Sequence, residues 1–241
     1  MRKIKRSSEL LWLLGIIFVA LGVAVCSKAD LGVSMIAAPS FIVHEAIEHL
    51  LPWITVGVTE YIIQGILLII LCIIVRRFNW RYLIAFAVAM LYGYTLDFFL
   101  WMLSPLSFDA VWLRWVMLLV GDVIVGFGVA CFFRTYMPLQ VFELFVAELS
   151  SRFKLKIDKV KAVFDVSLLV ISVTLALTLF GDIAEFDWST ILYSSFHSIG
   201  LGTFVTTAIN SAIILTFGRI IDKTFEPTPL FPKLENILRR K

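Results

Sequence analysis

Asp122 stands in the middle of one apolar run, LLVGDVIVGFG, Asp97 in a second, YGYTLDFF, and His197 in a third, YSSFHSIGLG. A charge inside hydrocarbon is costly, so an ionisable group there marks an ion or proton path by default. A desolvated carboxylate titrates near neutrality, which suits Asp122 to holding a proton or a cation. The plainer role is a neutral Asp bonded to a Ser or Thr of another span. Gly121, Gly126 and Gly128 flank it and let a neighbouring helix come close. Asp97 and His197 fall at similar depth, so an acid–imidazole pair sensitive to pH is expected of them. Tyr193, His197, Gly200, Thr203, Thr207 and Asn210 recur at steps of three or four, along one helical face. Such a stripe lines an aqueous path, or else serves ordinary hydrogen bonding between helices.

Two cation–acid pairings come from spacing. Lys28 and Glu60 are 32 residues apart, and Arg134 and Asp165 are 31 apart. They are expected as related ion pairs, one at each mouth, acting as gates or merely neutralising charge at helix ends, where exposure makes each worth little. His44 and His49 flank Glu45 and Glu48, but a spacing of five takes them off a common face, so no metal site is expected. No HExxH, GxSxG or Walker A pattern occurs, so no enzyme and no cofactor are expected. Cys26, Cys72 and Cys131 lack paired spacing and read as small apolar fillers.

The elements that must position these groups follow from composition. Of 241 residues, 60% are hydrophobic and 16% charged, and the mean hydropathy is +0.95. Ordinary soluble chains carry roughly 45–50% apolar and about 25% charged residues. Apolar runs near the length needed to cross a bilayer predict six spans, at 10–27, 55–75, 82–103, 112–133, 161–180 and 190–217. Arg2, Lys3, Lys5 and Arg6 precede the first run without a small-residue cleavage site, which makes it a retained span. With the N-terminus inside, cytoplasmic segments hold 19 of the 21 Lys and Arg, and only Lys28 and Arg114 fall opposite. Asp109, Asp182, Glu185 and Asp187 lie in the external connections. The positive-inside rule thus puts both termini in the cytoplasm of a bacterial inner membrane, and the net charge of +3 calls for no nucleic acid.

After span 1, IAAPSFIVHEAIEHLLP reads as an amphipathic helix too short to span. It carries Pro39 in its first turn and polar His44, Glu45, Glu48 and His49 opposite Ile42, Ala46, Ile47 and Leu50. After span 4, PLQVFELFVAELSSRF repeats the arrangement, with Phe142, Phe145, Val146 and Leu149 against Glu143, Glu148 and Ser151. Gly22 and Gly128 are 106 apart, as are Lys28 and Arg134, and a breaker follows each cation, Gly32 or Pro138. Glu60 and Asp165 answer each other at 105. The chain therefore reads as two units of span, amphipathic helix, span, span. Three spans per unit force the second to enter from the opposite face, and inverted repeats of this kind are typical of secondary transporters.

The segment SKADLGVSMIAAPSFI resembles the (R/K)-A-x-L-G-x-S-P signature of the YczE/YyaS/YitT-like family of bacterial membrane proteins, with Met35 at the usual proline. Pro138 stands where glycine is more usual in the second half. The resemblance implies an integral membrane protein with a transport-related role and carries no catalytic residues. The expectation is then a single all-α membrane domain with repeat 1 at about 8–108, repeat 2 at about 112–222 and a cytoplasmic tail at 223–241. It would move an unknown small solute by alternating access, with proton coupling through Asp122 or Asp97 and His197, and is compatible with a homo-oligomer. The rival expectation is a scaffold or accessory subunit for another membrane or biosynthetic protein.

Overall fold

The computed structural model describes residues 4–181, 192 and 194–232. Among these, eight helices and one pair of short strands form: β1 (Ile4–Ser7), α1 (Ser8–Lys28), α2 (Ala38–Ile47), α3 (Val56–Val75), α4 (Arg81–Met102), α5 (Val111–Phe132), α6 (Val141–Phe153), α7 (Ile157–Phe180), α8 (Leu201–Thr224) and β2 (Phe225–Thr228). Six of the helices, α1, α3, α4, α5, α7 and α8, are long and apolar enough to cross a membrane. Local chemistry sets their ends. The Ser7 side chain accepts from Leu10 N and the Thr55 side chain from Val58 N, capping α1 and α3. Lys28 sits on the carbonyl end of α1.

The centre of the bundle is the α1–α5 contact. A Cβ at Gly22 would lie 2.6 Å from the Gly121 carbonyl oxygen, and one at Gly128 2.9 Å from the Gly15 oxygen. Gly15 meets Gly128 while Gly22 meets Gly121, so the two helices run antiparallel. Their carbonyl ends, Lys28 and Arg134, lie at opposite ends of the bundle. Around this axis α4 packs on α1 and α8 on α5, while α2 and α6 each lie against both α3 and α7. The strongest packing without a match is that of α3 on α4. α3 and α4 run tightly together at Gly57 and Gly93, and α7 and α8 make no comparable contact among the described residues.

The two polar breaks are closed by protein. Gly202 N donates to the Leu31 carbonyl and Val33 N to the Ser198 carbonyl, both at 2.9 Å. Gly32 takes a φ of +99°, and a Cβ at Gly202 would lie 2.6 Å from the Leu31 oxygen. Only a glycine lets these backbones meet so closely. In the second break Trp12 Nε1 donates to the Pro138 carbonyl at 2.9 Å, and Tyr136 N to Ser8 Oγ at 3.3 Å. Backbone at membrane depth needs such partners, since lipid offers none.

Five of the six expected spans match observed helices within a few residues. The sixth does not: α8 begins at Leu201, eleven residues after the expected start at 190. His197 and Ser198 have positive φ, 44° and 67°, and the turn they form is held by the Leu31–Val33 break, so no helix can run through it. The start of the tail is ordered against the N-terminal segment. β2 pairs parallel with β1, Ile4 opposite Phe225, and Glu9 accepts from Leu230 N, Phe231 N and the Tyr136 hydroxyl. The acids expected at Asp182, Glu185 and Asp187, Tyr193 and the final LRRK lie outside the described residues.

Candidate functional site

Gln64 sits one turn beyond Glu60 on α3, and its amide joins two elements. Gln64 Nε2 donates to Glu60 Oε1 at 3.3 Å, and Gln64 Oε1 accepts from Val141 N, the first residue of α6, at 3.3 Å. Glu60 and Gln64 are fully buried. The first turn of α6 is therefore tied to α3 through Gln64, and Gln140 and Glu143 border the same cavity as Glu60. On the other side Asp122 Oδ1 accepts from Asn210 Nδ2 at 3.1 Å, both buried.

Glu60, Gln140, Glu143 and Asn210 border one small cavity of about 30 Å³, room for one water-sized species. It is bordered by all six long helices and by both breaks. Five pairs of its bordering residues are 106 positions apart: Val19 and Val125, Val23 and Val129, Ser34 and Gln140, Ile36 and Phe142, Ala37 and Glu143. Glu60, Tyr92, Lys161 and Asn210 complete its polar edge. Lys161 is held by Asp165 at 3.1 Å. Glu143 lies outside the spanning helices, and burial pushes its carboxyl above the ordinary range, an effect that the nearby Lys161 ammonium opposes.

Recesses open at both ends. At the Lys28 end a hollow of about 320 Å³ is bordered by Lys28, Asp30, Gly32 and Ser195. At the Arg134 end one of about 590 Å³ lies between α7 and α8, bordered by Ile157, Lys161, Ser211, Ile214 and Asp222. Lys161 and Ile214 border both this recess and the central cavity. No bordering residue of the central cavity is shared with the hollow at the Lys28 end.

The structure brings Asp122 and Asn210 together and faces Thr203 and Asn210 inward. Thr203 Oγ1 accepts from Gly200 N at 3.3 Å, and Thr207 Oγ1 donates to Met35 Sδ at 3.1 Å. Three expected pairings are corrected. Asp97 does not meet His197. It accepts from Thr55 Oγ1 at 2.5 Å and Gly57 N at 2.8 Å, fastening the start of α3 to α4. His197, in its turn ahead of α8, lies 2.8 Å from Glu45 Oε1 through Nδ1 and stacks on Phe180 with ring centres 3.6 Å apart. Glu45 is therefore not simply a solvated charge. Lys28 does not meet Glu60, because Glu60 lies one turn inside α3 on the face toward α6; Lys28 Nζ reaches the Ser104 carbonyl at 3.5 Å. Arg134 does not meet Asp165 either. Its guanidinium forks onto Asp222 with two contacts of 2.8 Å, and Asp165 turns to Lys161 on its own helix. At the Lys28 end the ion pair is Arg114 with Asp30, at 3.4 Å.

Four polar residues of the centre were missed in the sequence: Gln64, Gln140, Glu143 and Lys161. The 106-residue register could have found two, since Gln140 and Glu143 answer Ser34 and Ala37. Reading α6 as a surface helix put Glu143 on the wrong side. Gln64 lies four residues from Glu60, the spacing at which helix neighbours meet.

A family model described as a family of unknown function, DUF6198, matches residues 4–219, and the chain belongs to that family. No curated protein and no solved structure matches it.

Proposed function

We propose that this DUF6198 member is a transporter of a small solute, built as two inverted repeats and working by alternating access across a bacterial inner membrane. Both termini are cytoplasmic, no cofactor takes part, and no bond is made or broken in the solute. The resemblance to the YczE/YyaS/YitT-like signature belongs to the same reading. The observation that carries it is the central cavity, whose border is built largely from residue pairs 106 apart. A binding site on the axis between repeats is what alternating access requires.

The packing supports it. The α1–α5 contact maps onto itself under the 106 shift, since Gly15 with Gly128 becomes Gly121 with Gly22. α1 on α4 becomes α5 on α8, and α2 on α7 becomes α6 on α3. A scaffold would turn small residues outward to receive a partner. Here Gly15, Gly22, Gly57, Gly93, Gly121 and Gly128 all face other elements of the chain.

The topology has a direct test. Lys28→Cys and Arg134→Cys, in a chain with Cys26, Cys72 and Cys131 replaced, should react with an impermeant thiol reagent from opposite faces of the membrane. Reaction of both from one face would exclude inverted repeats. Transport is tested with Ser34→Cys and Gln140→Cys in the cavity border. A small charged methanethiosulfonate should reach each from either face, in right-side-out and in inverted vesicles. Protection from both faces would exclude alternating access.

A further inference from the structure

The central cavity is chemically lopsided. Among its bordering side chains, Glu60 Oε2, Glu143 Oε2 and Asn210 Oδ1 are acceptors without a hydrogen-bond partner, with the buried and equally unpartnered Ser40 hydroxyl beside Glu60, and Gln140 Nε2 is a donor without one. All five residues are more than nine-tenths buried. Groups of this kind are expensive to leave unmet in a low-dielectric interior. Two carboxylates on one small cavity also repel each other unless a proton or another positive charge lies between them. Lys161 is already engaged by Asp165, and Asp122 adds a further carboxylate behind Asn210. Tyr92 is the remaining titratable group at the border.

What satisfies three acceptors in the space of one water is a small cation with several donor hydrogens. We propose that the central cavity binds one ammonium ion, or the head of a small primary amine, between Glu60, Glu143 and Asn210. This rests on the reading of that cavity as the transport site and names its ligand class. A transition metal is not favoured, since among the described residues no three His, Cys, Asp or Glu side chains converge as its ligands, and sodium and potassium are separated from ammonium by the salt series. A quaternary ammonium is excluded twice, by a volume of about 30 Å³ and by its lack of N–H donors.

The experiment is thermal unfolding of the purified full chain in ammonium, methylammonium, sodium, potassium and tetramethylammonium chloride at matched ionic strength. Ammonium and methylammonium should raise the midpoint saturably, by roughly 5 °C at saturation, and tetramethylammonium should not. Glu60→Gln and Glu143→Gln should each weaken the apparent affinity for ammonium at least tenfold, while Glu48→Gln leaves it unchanged. The wild-type salt series decides the matter even if a variant fails to fold. Equal shifts in all five salts, or a larger shift with sodium or potassium, would overturn the proposal. An ammonium-specific shift in a protein whose cavity cysteines stay protected from both faces would overturn transport and leave the ligand standing. Accessible cavity cysteines without an ammonium effect would do the reverse.

Discussion

Glu143 is the third residue of α6, and two turns of reasoning about it reach opposite answers. By helical phase it belongs with Glu148 and Ser151 on a polar face; in the fold it is buried beside Glu60, because α6 lies with its start pressed into the bundle rather than along its surface. Its raised proton affinity makes a sign prediction. The folded chain holds that proton more tightly than the unfolded chain, so this residue's contribution to stability is present below the ordinary carboxylate range and is lost as pH rises above it. Glu60, Tyr92, Lys161 and Asp165 face the same region and shape the profile. The thermal midpoint of Glu143→Gln should therefore fall less between pH 5 and pH 8, a window chosen to start about where a free Glu ionises, than that of the wild type. An identical slope in both would remove Glu143 from the account. At this scale the sequence was legible for residue types and poor for partners. Asp122, Thr203 and Asn210 stood out because a polar group deep in an apolar run is conspicuous, and the fold buries all three. The partners of Asp97, His197, Lys28 and Arg134 depended on bends between elements that spacing does not encode.

Helices were legible because six apolar runs can be little else, and caps such as Ser7 and Thr55 mark their starts. The start of α8 was not, since its preceding turn is imposed by Leu31 and Val33, more than 160 positions earlier in the chain. The glycines of α1 and α5 were legible as a means of close approach, though not as approach to each other. Their contact allows a quantitative test. A side chain at Gly22 would overlap Gly121 and Val125, with nearest approaches of 2.6–2.7 Å. Overpacking of that kind costs about 1–3 kcal/mol, so Gly22→Val should lower the thermal midpoint by roughly 2–12 °C. Its register partner Gly128, with a Cβ position 2.7 Å from Val19, should lose a similar amount as Gly128→Val. Gly181, where a Cβ meets nothing within 4 Å, has no such packing to lose. A midpoint unchanged in both Gly22→Val and Gly128→Val would mean that the α1–α5 seam is looser than described.

For the whole molecule, the informative feature is the strongest contact without a counterpart, α3 against α4. Asp97 ties Thr55 and Gly57 to α4, while α7 and α8 leave a recess that reaches Lys161 at the cavity edge. If each half can adopt the shape of the other, the molecule has two conformers of nearly equal free energy, and this one opens toward the Arg134 end. The bias between them then resides in a few residues where the halves differ, not in the shared framework, and a ligand shifts it only by binding one conformer more tightly. Gly57 is such a residue. A Cβ there would overlap the Gly93 carbonyl oxygen and lie 2.5 Å from Asp97 Oδ2, so Gly57→Ala should push α3 off α4 and reverse the preferred face of labelling at Ser34→Cys, with the thermal midpoint lowered as for Gly22→Val. An unaltered preference would place the bias elsewhere. Evolution of direction in such a molecule needs no new machinery: one methyl group on one side of a near-balanced pair is enough to tip which compartment the site faces at rest.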